Sequence, residues 1–363
     1  MTRSPNAPAA GKCDRDTARK ATPDVTREAP PPAGALPAPS ERDWARAVEL
    51  IASADRVALA CHVSPDGDAL GSMLGFGLAL SRAGKAVVAS FGDRRFAVPR
   101  LLRFLPGQEL LVDPSDYPAE PPLMVTLDAS TVERLGLLAP HAGRAGELVV
   151  VDHHASNTGF GSLHLVDPAA AATSVLVEEL VRRLGLAVDV DVATCLYTAL
   201  VTDTGSFKYS TTPQVHALAA RLIAAGLRPD EIARELWDGA PFGYLTVLGA
   251  AAGRATLEPA AAGGHGLIWT YVTRADRAAA GLPYDEVEGV IDVVRRVEEA
   301  DVAVVLKEDD TGAWNVSTRS KGAVDVARAC SALGGGGHPR AAGFSARESP
   351  PDIMAALRPL LSP

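Results

Sequence analysis

A chain of 363 residues, 47% hydrophobic and 22% charged, has the composition of an ordinary globular protein but exceeds the usual single-domain length, so two domains are expected. Its formal net charge of −9 excludes the general basic surface that long nucleic acids require, and no uncharged apolar stretch reaches the ~18 residues of a membrane span. Cys13, Cys61, Cys195 and Cys330 lie far apart without a paired spacing, and the N-terminus lacks the basic-then-apolar order of a secretory signal, so a cytoplasmic protein with packing or exposed thiols is expected.

Residues 1–42 hold eight of the 27 prolines and no aromatic residue, which predicts a disordered tail unable to offset its ordering entropy. From Trp44 onward, strand and helix patterns alternate. Residues 56–61 read as a buried strand and 68–82 as a helix closed near Gly84, followed by strand-length apolar runs at 85–91, 123–127 and 147–151. Helices are predicted at 173–184 and 192–201. The alternation predicts an α/β domain, residues 43–211, with a parallel sheet covered by helices on both faces.

Residues 212–257 are Ala-rich and helix-like, with breaks at 226–229 and 239–243, and read as a helical connector. A smaller α/β unit, 258–363, follows. Strands are expected at 265–272, 301–307 and 314–318, and a helix at 324–333. A further helix should carry Val287, Val290, Ile291, Val294 and Val297 on one face. The glycine run 334–337 reads as a flexible turn or a phosphate cradle.

The chemistry concentrates where strands end. His62, Asp66 and Asp68 follow the first strand, Asp128 ends the run 123–127, Asp152-His153-His154 ends 147–151, and Asp203 follows the helical run 192–201. Carboxyl ends of parallel strands lie side by side at the ligand-binding edge, so these groups are expected to converge. Converging carboxylates repel unless cations neutralise them, which points to two divalent metals. Oxygen and imidazole donors without thiolate favour Mn²⁺.

These residues resemble the DHH phosphoesterase superfamily, of the type that trims very short RNAs and dephosphorylates pAp. His62-Val63-Ser64-Pro65-Asp66-Gly67-Asp68 is similar to its first motif, Asp128 to its second, Asp152-His153-His154 to its namesake, and Val201-Thr202-Asp203-Thr204-Gly205 to its fourth. The resemblance implies that His62, Asp66 and Asp128 hold one metal and Asp68, Asp128, His153 and Asp203 the other, with Asp128 bridging. It makes His154 the substrate-facing histidine and Asp152 a group that orients its neighbours.

The C-terminal unit resembles the DHH-associated domain through Gly334-Gly335-Gly336-Gly337-His338-Pro339-Arg340 and Ser317-Thr318-Arg319-Ser320. This implies an active site in the cleft between the domains, with Gly335, Gly336, Gly337, Arg319, His338 and Arg340 holding substrate. The expected activity is hydrolysis of short RNA, about 2–5 nucleotides long, to mononucleotides and of pAp to AMP by metal-activated water. Long nucleic acid and membranes are not expected partners, and relatives that pair as dimers make a homodimer one expected assembly. A phosphodiesterase acting on cyclic or linear dinucleotides is the alternative within the family, and a non-catalytic nucleotide-binding regulator the alternative outside it.

Overall fold

The computed structural model describes residues 36–362. In the N-terminal half, helix α1 (Glu41–Ser53) precedes strand β1 (Arg56–Cys61), helix α2 (Gly67–Arg82) and strands β2 (Ala86–Phe91) and β3 (Leu123–Leu127). A four-residue helix α3 (Ala139–Ala142), strands β4 (Glu147–Asp152) and β5 (Leu163–Val166), and helices α4 (Thr173–Arg183) and α5 (Val190–Asp203) complete it. The five strands are all parallel in the order β2-β1-β3-β4-β5. That order reverses direction between β1 and β3, where open α/β sheets form their binding crevice.

Alternation along β1 explains the layering. Val57, Leu59 and Cys61 enter one core with α1, α2, α4 and α5, whereas Ala58 and Ala60 face a second cluster with Leu135, Leu138 and Ala142. The second face is covered by turns through Val132–Leu138 and by α3, a thinner layer than the helical cover expected on both faces. Strand β5 was not legible in advance, being an edge strand of four residues.

Packed structure is already present before residue 42, the expected end of the tail. Ser40 caps α1 in a reciprocal capping box with Asp43, and Leu36 packs against the second cluster. Residues 1–35, which carry the rest of the predicted tail and Cys13, lie outside the described residues.

The expected connector divides between the two halves. Helices α6 (Pro213–Ala224) and α7 (Pro229–Trp237) bury Val215, Leu218, Leu222, Ile232 and Leu236 in the N-terminal core. Helix α8 (Phe242–Gly253) instead packs Val247 and Ala251 on the C-terminal sheet. Asp238 to Pro241 thus form the whole covalent link between the two cores.

The C-terminal half comprises β6 (Thr256–Glu258), β7 (Leu267–Val272), α9 (Arg274–Ala280), α10 (Val290–Val294), β8 (Val302–Glu308), β9 (Trp314–Ser320), α11 (Val326–Ser331), β10 (Gly336–His338), β11 (Ala341–Ala346) and α12 (Pro350–Leu357). Its six-stranded mixed sheet runs β10-β11-β9-β8-β7-β6. Val302, Val304 and Leu306 of β8 face the core under α11 and α12, and Ala303 and Val305 face that under α8 and α10.

One expectation fails here. The continuous helix through 287–297 is a single turn at Tyr284–Val287 and the five-residue α10, although Val287, Val290, Ile291 and Val294 are buried together as the pattern required. Gly289 and a β-branched run make poor helix, so burial rather than propensity holds the segment. Of the two readings of the glycine run, the flexible turn is excluded, because Gly336–His338 pairs with β11 as an edge strand. Gly335 is needed sterically: a Cβ there would stand 2.0 Å from the Gly343 carbonyl oxygen.

Candidate metal and phosphate site

The predicted residues of the N-terminal half meet at the carboxyl ends of β1, β3 and β4. Asp66 is the N-cap of α2, its Oδ1 accepting from the amides of Asp68 and Ala69 at 3.1 and 3.0 Å. Its Oδ2 faces His62 Nε2 at 3.8 Å. Asp128 sits at φ 59°, a left-handed conformation that aspartate tolerates better than most residues, and it turns its carboxylate back over the sheet edge. Asp203 comes from the last residue of α5, a helix end rather than a strand end.

Among the described residues four triplets have ligand atoms within 4.8 Å of one another; two of them, His62, Asp66 and Asp128, and Asp68, His153 and Asp203, are the predicted ligand sets, and the others, His153, His154 and His338, and Asp128, Asp152 and His154, border them. Asp128 faces both predicted sets. Its Oδ2 lies 3.5 Å from His62 Nε2, and its Oδ1 3.6 Å from His153 Nε2. His153 Nε2 is also 3.7 Å from Asp68 and 3.6 Å from Asp203.

The histidine tautomers follow from their other nitrogens. His62 Nδ1 donates to the Val63 carbonyl at 2.8 Å, and His153 Nδ1 to that of Ala170 at 3.2 Å. Each therefore aims its Nε2 at carboxylates, at distances long for a hydrogen bond, and offers that nitrogen's lone pair when it is unprotonated. Lone pairs and carboxylates aimed at shared points fit a cation between them, and histidines anchored in this way are typical metal ligands.

Charge makes the same point. Among the described residues, Asp66, Asp68, Asp128, Asp152 and Asp203 form no ion pair with lysine or arginine. Burial and the neighbouring charge of Asp128 push Asp68 well above the usual carboxylate range and Asp203 up to about 8. Burial would raise Asp128 too, but His62, His154 and His153 hold it well below its ordinary value. Burial disfavours charge on His154, yet its hydrogen bond to Asp152 and the charges of Asp152, Asp128 and Asp203 push it up to about 10.

Asp152 is fully buried and committed to positioning. Its Oδ1 accepts from the His153 amide at 2.9 Å and from His154 Nδ1 at 2.7 Å, and its Oδ2 from Asn157 Nδ2 at 2.6 Å. His154 is therefore fixed with Nε2 toward the cleft.

Several supporting residues escaped sequence reading. Asp68 accepts from Ser72 Oγ at 2.9 Å and from the first amides of α4, Thr173 N at 2.6 Å and Ser174 N at 3.1 Å. Thr173 Oγ1 donates to Asp128 Oδ1 at 2.8 Å. The positive end of α4 thus clamps carboxylates of both triplets, and nothing local in the sequence marks a helix start for that use. Thr173→Val keeps the shape but loses the hydroxyl, and calorimetry is expected to show divalent-metal affinity reduced about 10–100-fold. Unchanged affinity would show that the clamp is dispensable.

Another missed signal was readable. Gly67, Gly71 and Gly75 recur at four-residue spacing on the face of α2 that meets α5, where a Cβ on Gly67 would stand 2.3 Å from Thr202 Oγ1 and one on Gly71 2.6 Å from the Cys195 carbonyl oxygen. This close approach draws Asp203, at the end of α5, toward Asp68, at the start of α2.

The C-terminal sheet supplies the opposite wall. His338 of β10 stacks on His154 with ring centroids 4.5 Å apart and lies 5.0 Å from His153. Burial, then the nearby His154 and His153, pull it down to about 3, so it stands there neutral. Arg319 of β9 forms no ion pair among the described residues; its Nη1 donates to the Thr318 carbonyl at 3.0 Å, and burial works against its charge. Arg340 is exposed beside Gly322. The Gly335 amide is bonded to the Cys330 carbonyl at 2.9 Å, which removes it from the expected phosphate cradle. The two walls are joined by a bidentate Arg100–Glu286 pair and by Arg295 over the Tyr209 ring.

Comparison with known proteins agrees with this architecture. The family profile described as "DHH family, N-terminal domain" matches residues 56–200, and that of the "DHHA1 domain" matches residues 268–361. The chain is 34% identical over 311 residues to the bifunctional oligoribonuclease and PAP phosphatase NrnA of Thermus thermophilus, covering 84% of this chain and 90% of that protein. It is 25% identical to the protein of the same description from Bacillus subtilis, over 82% and 91% of the two chains. An exopolyphosphatase-related protein from Bacteroides fragilis shares the fold with a TM-score of 0.80 at 23% identity, covering 89% of this chain and 96% of that one. With the Asp-His-His turn at the end of β4, the convergent carboxylates and the matched C-terminal sheet, the chain belongs to the DHH family and carries a DHHA1 domain behind its DHH domain.

Proposed function

We propose that the chain is a metal-dependent phosphoesterase of the cytoplasm that hydrolyses short oligoribonucleotides to mononucleotides and dephosphorylates pAp to AMP. The observation that carries this reading is the bridging position of Asp128 between two ligand triplets, with His154 beside them and His338 and Arg319 facing them from the DHHA1 sheet. Relatives named for these two activities match over nearly their whole length. No helix among the described residues is long and apolar enough to cross a membrane.

His62, Asp66 and Asp128 would hold one divalent ion and Asp68, Asp128, His153 and Asp203 the other, Mn²⁺ being favoured by the mixed oxygen and imidazole donors. Bound ions would supply polarisation of the phosphate and a more acidic water. Asp152 holds His154 so that its Nε2 stabilises charge developing on the phosphate or protonates the leaving ribose oxygen. Arg319 is a guanidinium without a carboxylate partner, suited to pair with a second phosphate of the substrate, with His338, Arg340 and the amides of Gly336 and Gly337 beside it. Burial of Arg319 strengthens that pairing by excluding water.

A second reading, cleavage of cyclic or linear dinucleotides, rests on a 28% identical relative named a cyclic-di-AMP phosphodiesterase, of which the chain covers 44%. A non-catalytic regulator is disfavoured by the full ligand set. Parallel hydrolysis of pAp, a ladder of short RNAs, a cyclic dinucleotide and pyrophosphate with added Mn²⁺ tests all three. The proposal expects pAp and RNAs of about 2–5 nucleotides to be turned over fastest, and it fails if the cyclic dinucleotide leads or nothing is hydrolysed. Arg319→Ala is expected mainly to raise KM for these substrates; a pure kcat defect would contradict its binding role.

A further inference from the structure

Three loops meet beside His62 on one flank of the metal edge. The Val63 amide donates to the Arg134 carbonyl at 2.8 Å, the Leu137 amide to that of Gly92 at 2.9 Å, and the Ser64 amide to Asp93 Oδ2 at 2.8 Å. Two glycines permit this lacing. A Cβ on Gly92 would stand 2.0 Å from the Leu135 carbonyl oxygen, and one on Gly136, at φ 55°, would meet Val63 Cγ1 at 2.4 Å. Phe96 stacks on Phe91 with centroids 4.5 Å apart, and Arg100 pairs with Glu286, so residues 92–100 run from the metal edge to the C-terminal half.

This platform carries exposed arginines. Arg94, Arg95 and Arg134 form no ion pair among the described residues, whereas Arg82, Arg183 and Arg221 of the same half are held by carboxylates. Arg134 is close enough for its charge to act on His62 and Asp93. The acidic neighbours are committed, Asp93 to the Ser64 amide and Glu133 to the Thr131 hydroxyl. That leaves Asp285, approaching from the other half, against three guanidiniums, in a chain of net charge −9.

We propose that Arg94, Arg95 and Arg134 form a phosphate track that holds an oligoribonucleotide beyond its reacting phosphate and sets the preference for RNA over pAp. The track rests on the hydrolytic reading above for the place of the reacting phosphate. A pAp molecule brings two phosphates, one for the metal triplets and one for Arg319. Each nucleotide added to a strand brings a further phosphate, which needs a cation of its own. Guanidiniums without carboxylate partners suit that use. Phosphate contacts carry no base information, so the track reads length and not sequence. The flank past Asp203 suits it less: Lys208 lines a cavity of about 390 Å³ in which Asp285, Glu286, Glu288 and Asp292 outnumber Arg100, Lys208 and Arg296.

Fluorescence anisotropy of an end-labelled RNA pentamer, in a chelator that withholds metal, tests the track across a salt series. Unlabelled pentamer should displace the probe from wild type at least about tenfold more effectively than pAp. Arg94→Ala, Arg95→Ala and Arg134→Ala together should weaken pentamer binding at least about tenfold and lower the slope of log Kd against log salt by about 2, leaving pAp competition within about twofold. Circular dichroism and melting temperature should be unchanged, since all three side chains are exposed. Lysine at all three positions keeps the charge and should restore the slope. Pentamer binding and slope unchanged by alanine, equal losses for pAp and pentamer, a slope that lysine does not restore, or a wild type that prefers pAp would each overturn the track. A length preference without turnover in Mn²⁺ would instead sink the hydrolytic reading and support the track.

Discussion

Asp128→Asn is expected to lower kcat/KM on short RNA by about 10³-fold or more and to flatten the pH dependence of melting in the metal-free protein. Both effects come from one carboxylate. Its two oxygens face different triplets, so the substitution impairs both proposed metal sites, whereas loss of Asp66 or Asp203 would touch one. Without metal, the same charge helps burial hold protons on Asp68 and Asp203. A carboxyl whose folded pKa lies above its unfolded value destabilises the fold as pH rises from the unfolded pKa toward the folded one. His154, raised from 6.5 to about 10, lends stability that is present below pH 6.5 and lost as pH rises toward 10. His338, pulled down to about 3, acts in the opposite direction only below about pH 6.5, so between pH 6.5 and 8 the raised groups dominate. Metal-free wild type should therefore melt lower at pH 8 than at pH 6.5, and Asp128→Asn should flatten that slope. Calorimetric melting in a chelator together with turnover in Mn²⁺ checks both halves. Undiminished hydrolysis would end the bridging assignment, and a pH slope of melting left unchanged by the substitution would end the argument from crowded charge.

Gly71→Val should have a large effect although its side chain would touch no ligand. A Cβ at Gly71 stands 2.6 Å from the Cys195 carbonyl oxygen and 3.1 Å from Ala199 Cβ, and the first of these is backbone that cannot rotate away. Helix propensity would favour a non-glycine residue by less than ~1 kcal/mol, and a β-branched one by least. Overpacking costs about 1–3 kcal/mol, so the net sign is destabilising. Parting α2 from α5 also withdraws Asp203 from Asp68. Chemical denaturation and Mn²⁺ calorimetry should thus report losses together, with affinity down at least about tenfold. Lost stability with intact metal affinity would show that the two helices position nothing.

What could be read in advance follows from how local each signal is. Strands β1, β3 and β4 carry continuous apolar runs that end in Asp or His, so their carboxyl edge and the groups on it were legible from Cys61-His62, Leu127-Asp128 and Val151-Asp152. Thr173 was not, because its function depends on where α4 begins relative to Asp68, 105 residues away in sequence. The glycine run misled because glycine permits a loop, whereas here the close approach of Gly335 to Gly343 requires glycine within a hairpin. The segment around Val290 shows the converse: its apolar spacing marked the buried face correctly, but Gly289 and β-branching kept the helix to a few residues. Gly67, Gly71 and Gly75 carried a readable pattern, though their meaning depended on a helix more than a hundred residues later.

The four residues from Asp238 to Pro241 limit how the molecule can admit its substrate. Four residues span at most about 14 Å when fully extended, so the two cores cannot drift apart at this point. Whatever binds between the two sheets must therefore fit a space capped on one side by a tether of four residues.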